Sequence, residues 1–97
     1  MAAMSSDVSD NAERSRYELF IDGELVGIAD YRVSGDQVVM PHTEIASARR
    51  GQGLGAVLVR GALDDVRAKG KSVVPQCWYV AEFIDEHPEY QALLRTA

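Results

Sequence analysis

The apolar pattern of this chain changes period once, and that single change limits the folds available to it. Between Arg16 and Ile45 it alternates between short turn signals, whereas from Gly53 to about Lys69 it recurs every three to four residues. Alternation places every second side chain on one face of a strand, and the longer period places a stripe along a helix. The first regime divides into Arg16–Ile21, Leu25–Val33 and Gln37–Ile45, separated by Asp22-Gly23-Glu24 and Ser34-Gly35-Asp36. These segments predict an antiparallel meander of three strands. Pro41 cannot donate to a ladder, so it implies an edge, a bulge or a splayed position in the third strand. In the helix, Leu54, Val57, Leu58, Gly61, Ala62 and Val66 form the predicted core stripe, with Arg60, Asp64 and Arg67 opposite. Gly70 is a natural stop.

Lys71–Cys77 reads as another strand and Trp78–Glu86 as a short amphipathic helix, with Trp78, Phe83 and Ile84 as its anchors. His87-Pro88 ends that helix and allows a last one over Glu89–Arg95, docked through Tyr90 and Leu93 or Leu94. The expected order is βββαβαα, an α+β fold: a mixed, mainly antiparallel sheet covered by helices. Ninety-seven residues fit one domain. Residues 1–15, rich in Ser, Asp and Ala and without periodicity, are expected to be a disordered tail, leaving 16–97 as the domain.

Charge and cysteine content narrow the functional classes. The net charge of -5 argues against nonspecific nucleic-acid or anionic-membrane binding. Residues 49–71 nevertheless carry Arg49, Arg50, Arg60, Arg67, Lys69 and Lys71 against only Asp64 and Asp65, so a polyanionic small ligand is expected in the middle of the chain. With a single cysteine, Cys77, stability is expected from packing in a reducing compartment. Apolar runs of a few residues neither cross a bilayer nor form a signal core, and a cytoplasmic protein is expected.

The chemistry concentrates in Arg49-Arg50-Gly51-Gln52-Gly53-Leu54-Gly55, between a strand and the long helix. Glycines there let the main chain curl around an anion, the helix dipole adds positive potential, and Arg49 and Arg50 offer charge-assisted bonds to phosphate. By itself the motif fits equally a glycine turn with a solvated arginine pair. It is not a P-loop, because no Lys-Ser or Lys-Thr follows the last glycine, and it lacks the spacing and βα context of a dinucleotide fingerprint.

With Arg50, Gly53 and Gly55 matching Q/R-x-x-G-x-G/A, the chain resembles the GNAT N-acetyltransferase superfamily. His42-Thr43-Glu44-Ile45, RRGQGLG, Val74-Pro75-Gln76-Cys77 with Tyr79-Val80, and His87-Pro88-Glu89-Tyr90 sharpen the resemblance to the minimal, YjdJ-type GNAT-like family over about residues 17–94. The resemblance implies an acetyl-CoA (coenzyme A) site. Backbone groups of Ile45, Ala46 and Ser47 would pair with pantetheine, and Arg50, Gly51, Gln52, Gly53, Leu54, Gly55 and Ala56 would receive the pyrophosphate. Such folds open a V between the strands at 37–46 and 71–77, which gives Pro41 and Pro75 a reason.

Met40, His42 and Glu44 are expected on one strand face, near the mouth of that V. An amine attacks a thioester only when neutral, so His42 is the candidate base with Glu44 beside it; the alternative is a structural His42 bonded at a bulge. Cys77, expected across the V from His42, is either a covalent acyl acceptor or a small buried hydrophobe. Tyr79 and Tyr90 could protonate the departing coenzyme thiolate or bind its arm, or simply pack in the core, and an exposed Trp78 beside Cys77 could line the acceptor entrance instead of anchoring its helix. The functional expectation is an acetyl-CoA-dependent N-acetyltransferase acting on an unidentified amine. The alternatives are a non-catalytic CoA-binding module working with a partner protein, or an anion-binding domain.

Overall fold

The structure, a computed structural model, describes residues 5–94. Five strands form one sheet in sequential order: β1 (Ser6–Asn11), β2 (Arg16–Ile21), β3 (Glu24–Ser34), β4 (Gln37–Ile45) and β5 (Ser72–Val74). The first four pair antiparallel, and β5 returns through the helix α1 (Leu54–Ala68) to lie parallel to β4. A second helix, α2 (Trp78–Glu86), and a 3-10 segment (Pro88–Leu93) follow. The α+β class is as expected; the sheet has one strand more.

That strand corrects the reading of residues 1–15 as a tail. Ser6–Asn11 pairs with Ile21–Arg16 along its whole length, and Ala12–Arg14 forms a 3-10 turn capped by Asn11. Only one apolar side chain, Val8, takes part, so apolar periodicity alone carried no signal. Polar groups supply the rest. Asp10 accepts from the Tyr31 hydroxyl at 2.6 Å and from Lys69 Nζ at 2.8 Å, and Asn11 donates to Glu18 at 3.1 Å. Residues 1–4 lie outside the described range, as does Arg95 of the expected last helix, which is 3-10 rather than α.

Helix α1 lies across all five strands and buries Leu54, Leu58, Val59, Ala62, Leu63 and Val66 against Leu19, Ile21, Val26, Ala29 and Met40. Each fully buried aliphatic side chain contributes about 1.5–3 kcal/mol, so this face dominates the stability. Val59 and Leu63 join the expected stripe because the helix covers a wide sheet. Val57, by contrast, is partly exposed. Gly61 is explained by β1: a Cβ there would sit 2.6 Å from Val8 Cβ. The helix ends on Gly70 (φ 70°), with Gly70 N–H donating to the Arg67 carbonyl and Lys71 N–H to that of Val66. That is the left-handed terminus expected of a glycine in this place.

One irregularity in β4 positions the site. Asp30 faces His42 while Arg32 faces Val39, so Met40 and Pro41 together oppose Tyr31. The extra residue is a bulge, one of the options Pro41 left open, and it inverts the alternation beyond it.

Candidate active site

Inversion at the bulge corrects the expectation that Met40, His42 and Glu44 share a face. Met40 is fully buried beneath α1, whereas His42 and Glu44 are exposed. Thr43 and Ile45 take over the helix-facing side; Ile45 packs against the core and Thr43 reaches Cys77. His42 and Glu44 do stay together: Nε2 and Oε1 lie 3.1 Å apart, with side-chain exposures of 54% and 58%.

Strands β4 and β5 pair only from Gln37↔Ser72 to Val39↔Val74. Pro75 interrupts the ladder, Gln76 N–H folds back onto the Val74 carbonyl, and Cys77 N–H reaches the Met40 carbonyl at 2.9 Å. Beyond that contact β4 runs on to Ile45 and the two arms part. β5 is therefore shorter than the expected 71–77 segment, but the V is there. A cavity of about 350 Å³ occupies it, bounded by His42, Thr43, Ile45, Gly55, Cys77 and Tyr79 among others.

Cys77 sits at the N-cap of α2 rather than at the end of a strand. Its sulfur lies 3.6 Å from Thr43 Oγ1, and His42 lines the same cavity with its imidazole bonded to Glu44. Burial opposes the thiolate, but the Val80 amide, the Thr43 hydroxyl and the Tyr79 and Thr43 amides outweigh it and hold the thiol below its ordinary value. These helix amides act through the long reach of sulfur without closing a strict capping bond. Thr43, quoted in the His42-Thr43-Glu44-Ile45 motif, was given no role by the sequence reading; the bulge is what turns it toward Cys77.

At the other end of the V, residues 47–49 form a 3-10 turn and the chain enters α1 through Gly51 (φ 83°) and Gly53 (φ 76°). Gly53 is the N-cap, left-handed and with no side chain, so the first amides of a 15-residue helix have no capping acceptor. A Cβ at either glycine would meet nothing within 4 Å. A second cavity of about 200 Å³ opens there, lined by Arg49, Arg50, Gly51, Gly53, Leu54 and Gly55 among others. It shares Ile45, Gly55 and Tyr79 with the first cavity, so the two are contiguous. Gly55 has a different reason from its neighbours: a Cβ there would lie 2.8 Å from Tyr79 Oη. Gln52 is exposed in the turn and Ala56 packs partly against the core.

Internal partners temper the basic segment. Arg49 pairs with Glu24 at 3.1 Å, Arg60 with Glu89 at 3.5 Å, and Lys69 with Asp10 and Asp65. Arg67 lies over the Tyr90 ring. Arg50, whose Nε donates to the Ile45 carbonyl, has no carboxylate partner among the described residues and borders the glycine cavity. Arg67 and Lys71 bond the Glu89 and Gly35 carbonyls and do not line this cavity, so at the cavity the positive charge narrows to Arg50 and the helix amides. Around the expected pantetheine contacts, Ala46 N–H donates to the Val26 carbonyl, while the Ala46 and Ser47 carbonyls accept within the 3-10 turn.

Tyr90 belongs to the core: it is buried, and its hydroxyl donates to Asp64 at 2.7 Å. Tyr79 belongs to the site; burial, then the charges of Glu82 and Glu86, raise its phenol. Trp78, expected as a core anchor, is 73% exposed at the rim.

The sequence and the fold have counterparts among known proteins. Over 66 residues the chain is 36% identical to Protein NATD1 of Bos taurus, covering 67% of this chain and 58% of that protein. Protein NATD1 of Danio rerio is 29% identical over 91 residues, 91% of this chain and 82% of the relative. The chain thus spans under two thirds of the mammalian relatives and most of the fish one. In fold it is similar to the solution structure of a GCN5-like protein from Staphylococcus aureus, with a TM-score of 0.68 at 15% identity over 100% of this chain and 93% of that one. It also resembles the ribosomal-protein-S18-alanine N-acetyltransferase of Escherichia coli, with a TM-score of 0.57 at 20% identity over 62% and 39%. Residues 16–93 match the family model of the GCN5-related N-acetyl-transferases, and the chain belongs to that family.

Proposed function

We propose that this protein is an acetyl-CoA-dependent N-acetyltransferase whose coenzyme diphosphate rests on the open amides at the start of α1. The observation that carries this reading is the left-handed, side-chain-free Gly53 cap, which leaves those amides available beside Arg50, in a cavity continuous with the Cys77 cleft. The residues fit the group: there is room at Gly51 and Gly53, a helix dipole and a single unpaired guanidinium for the phosphates, and a cleft long enough to lead to the sulfur. Bound there, acetyl-CoA supplies an acyl carbon activated as a thioester.

In this reading Gly51, Gln52, Gly53, Leu54, Gly55 and Ala56 form the cradle and Arg50 neutralises charge. Arg49, tied to Glu24, positions the turn. His42 is the base: it stands at the cleft rim, open to solvent, with Glu44 fixing its imidazole. Cys77 bonds Thr43 and His42 bonds Glu44, so His42 is assigned to the acceptor's proton rather than to the thiol. Cys77 is the candidate acyl acceptor, held toward thiolate by Thr43 and the α2 amides; in direct transfer it would be a thiol lining the pocket. Tyr79, between cradle and cleft, orders the coenzyme arm.

Two measurements test this. Calorimetric titration with acetyl-CoA, CoA and ATP should show binding governed by the diphosphate. Incubation with acetyl-CoA and an amine panel should release CoA, with a pH profile that His42→Ala abolishes. Coenzyme binding without turnover on any amine would move the assignment to a CoA-binding module. Single-turnover transfer retained by Cys77→Ala would exclude the covalent route.

A further inference from the structure

Along α2, Trp78, Glu82 and Glu86 recur at a spacing of four residues, so they share one face. This face borders a groove of about 230 Å³, walled also by Tyr79, Phe83 and His87, that shares Trp78 and Tyr79 with the Cys77 cleft. Nothing in the fold explains its composition. Trp78 is the only tryptophan of the chain and lies 73% exposed, a costly place for the largest apolar side chain. Glu82 and Glu86 repel each other one turn apart, and neither forms an ion pair among the described residues. Neighbouring polar side chains are otherwise engaged: Arg60 pairs with Glu89 and lies over Phe83, and His87 stacks on Phe83 with its Nδ1 bonded to the Phe83 carbonyl.

An amine acceptor arrives protonated, and an aromatic face with carboxylates behind it attracts an organic cation. With a rise of about 1.5 Å per residue, Glu82 and Glu86 stand roughly 7.5 and 13.5 Å along the axis from Cys77. We propose that this groove is the acceptor subsite and that the acceptor is a flexible polyamine: one amine enters the cleft while its remaining ammonium groups rest on Trp78, Glu82 and Glu86. A groove of about 230 Å³ has room for a methylene chain rather than for a folded protein surface. The identification of the substrate class rests on the acyl-transfer reading of the cleft, but the groove can be tested apart from it.

Fluorescence of the sole tryptophan reports occupancy without turnover. Spermidine is expected to change Trp78 emission saturably, with affinity falling as salt rises, while butylamine at equal concentration leaves it unchanged. Replacing both carboxylates (Glu82→Gln with Glu86→Gln), on an exposed helix face, should weaken spermidine about tenfold while CoA binding by calorimetry stays as in wild type. Equal spermidine affinity in wild type and the double variant would overturn the proposal. So would saturable binding of a lysine-rich peptide with spermidine inert. Spermidine binding in a protein that fails to bind CoA would keep the groove and reject the acyl-transfer reading instead.

Discussion

Replacing Gly53 separates the anion cradle from the fold that carries it. At φ 76° an L-residue is strained by about 1–2 kcal/mol, and with nothing within 4 Å of the new Cβ no steric cost is added. Gly53→Ala should therefore lose roughly 1 kcal/mol of stability, lowering Tm by about 4–8 °C in a domain of this size. Because Ala adds no charge, CoA should bind within a few-fold of wild type. Gly53→Asp carries the same backbone strain. At αL its carboxylate gains no capping bond, since that bond needs an extended N-cap. It does, however, place a negative charge where the diphosphate should lie. Two like charges about 4 Å apart near a protein surface repel by about 4 kcal/mol at an effective dielectric constant of 20, before salt screening. A loss of at least about 100-fold in CoA affinity is expected, growing at low ionic strength. Calorimetry on both variants, with thermal unfolding alongside, provides the comparison. If Asp and Ala bind CoA alike, the amides of this turn do not hold the diphosphate and the reasoning fails.

The docking of β1 is tested by Gly61→Ala. On a free helix this change gains about 1 kcal/mol, but against Val8 it should cost about 1–3 kcal/mol, with the steric part relieved by adding Val8→Gly, which unlike alanine removes the Cβ that the new methyl meets. A stabilised single variant would mean that β1 does not lie there. Thr43→Val removes a hydroxyl that supports the Cys77 thiolate, so the pH midpoint for alkylation of Cys77 should rise toward that of an ordinary thiol; an unmoved midpoint would deny Thr43 that role. Tyr31, pushed up to about 12 by burial and then by its bond to Asp10, adds stability that is intact below pH 10 and is lost between pH 10 and 12. Tyr31→Phe should flatten that alkaline limb in unfolding experiments. Glu86→Gln relieves the repulsion with Glu82 and should stabilise the protein by about 0.2–0.5 kcal/mol in denaturant melts, where a loss would point to an unseen partner.

Strands β2 and β4, the helix α2, the turns between them and the glycine turn before α1 were legible in the chain. Each depends on local physics: alternation, the spacing of an amphipathic stripe, and glycines where φ turns positive at Gly51, Gly53 and Gly70. Contacts between distant residues were not legible. β1 is held by Asp10 and Asn11 reaching Lys69, Tyr31 and Glu18, and one apolar residue gives no periodicity to detect; the mid-helix Gly61 was its only trace. The bulge at Pro41 was among the options, but its consequence was not. A one-residue insertion reverses every later side chain, sending Met40 inward, His42 and Glu44 outward, and giving Cys77 to Thr43. Charge likewise looked concentrated along the chain and was dispersed in space by Glu24, Glu89, Asp10 and Asp65. The residues by themselves determined which segments between Arg16 and Glu86 are strand, helix and glycine turn, because those depend on neighbours a few positions apart. The partners of Cys77 and the side of the sheet that carries the imidazole were decided only when strand register closed over dozens of intervening residues.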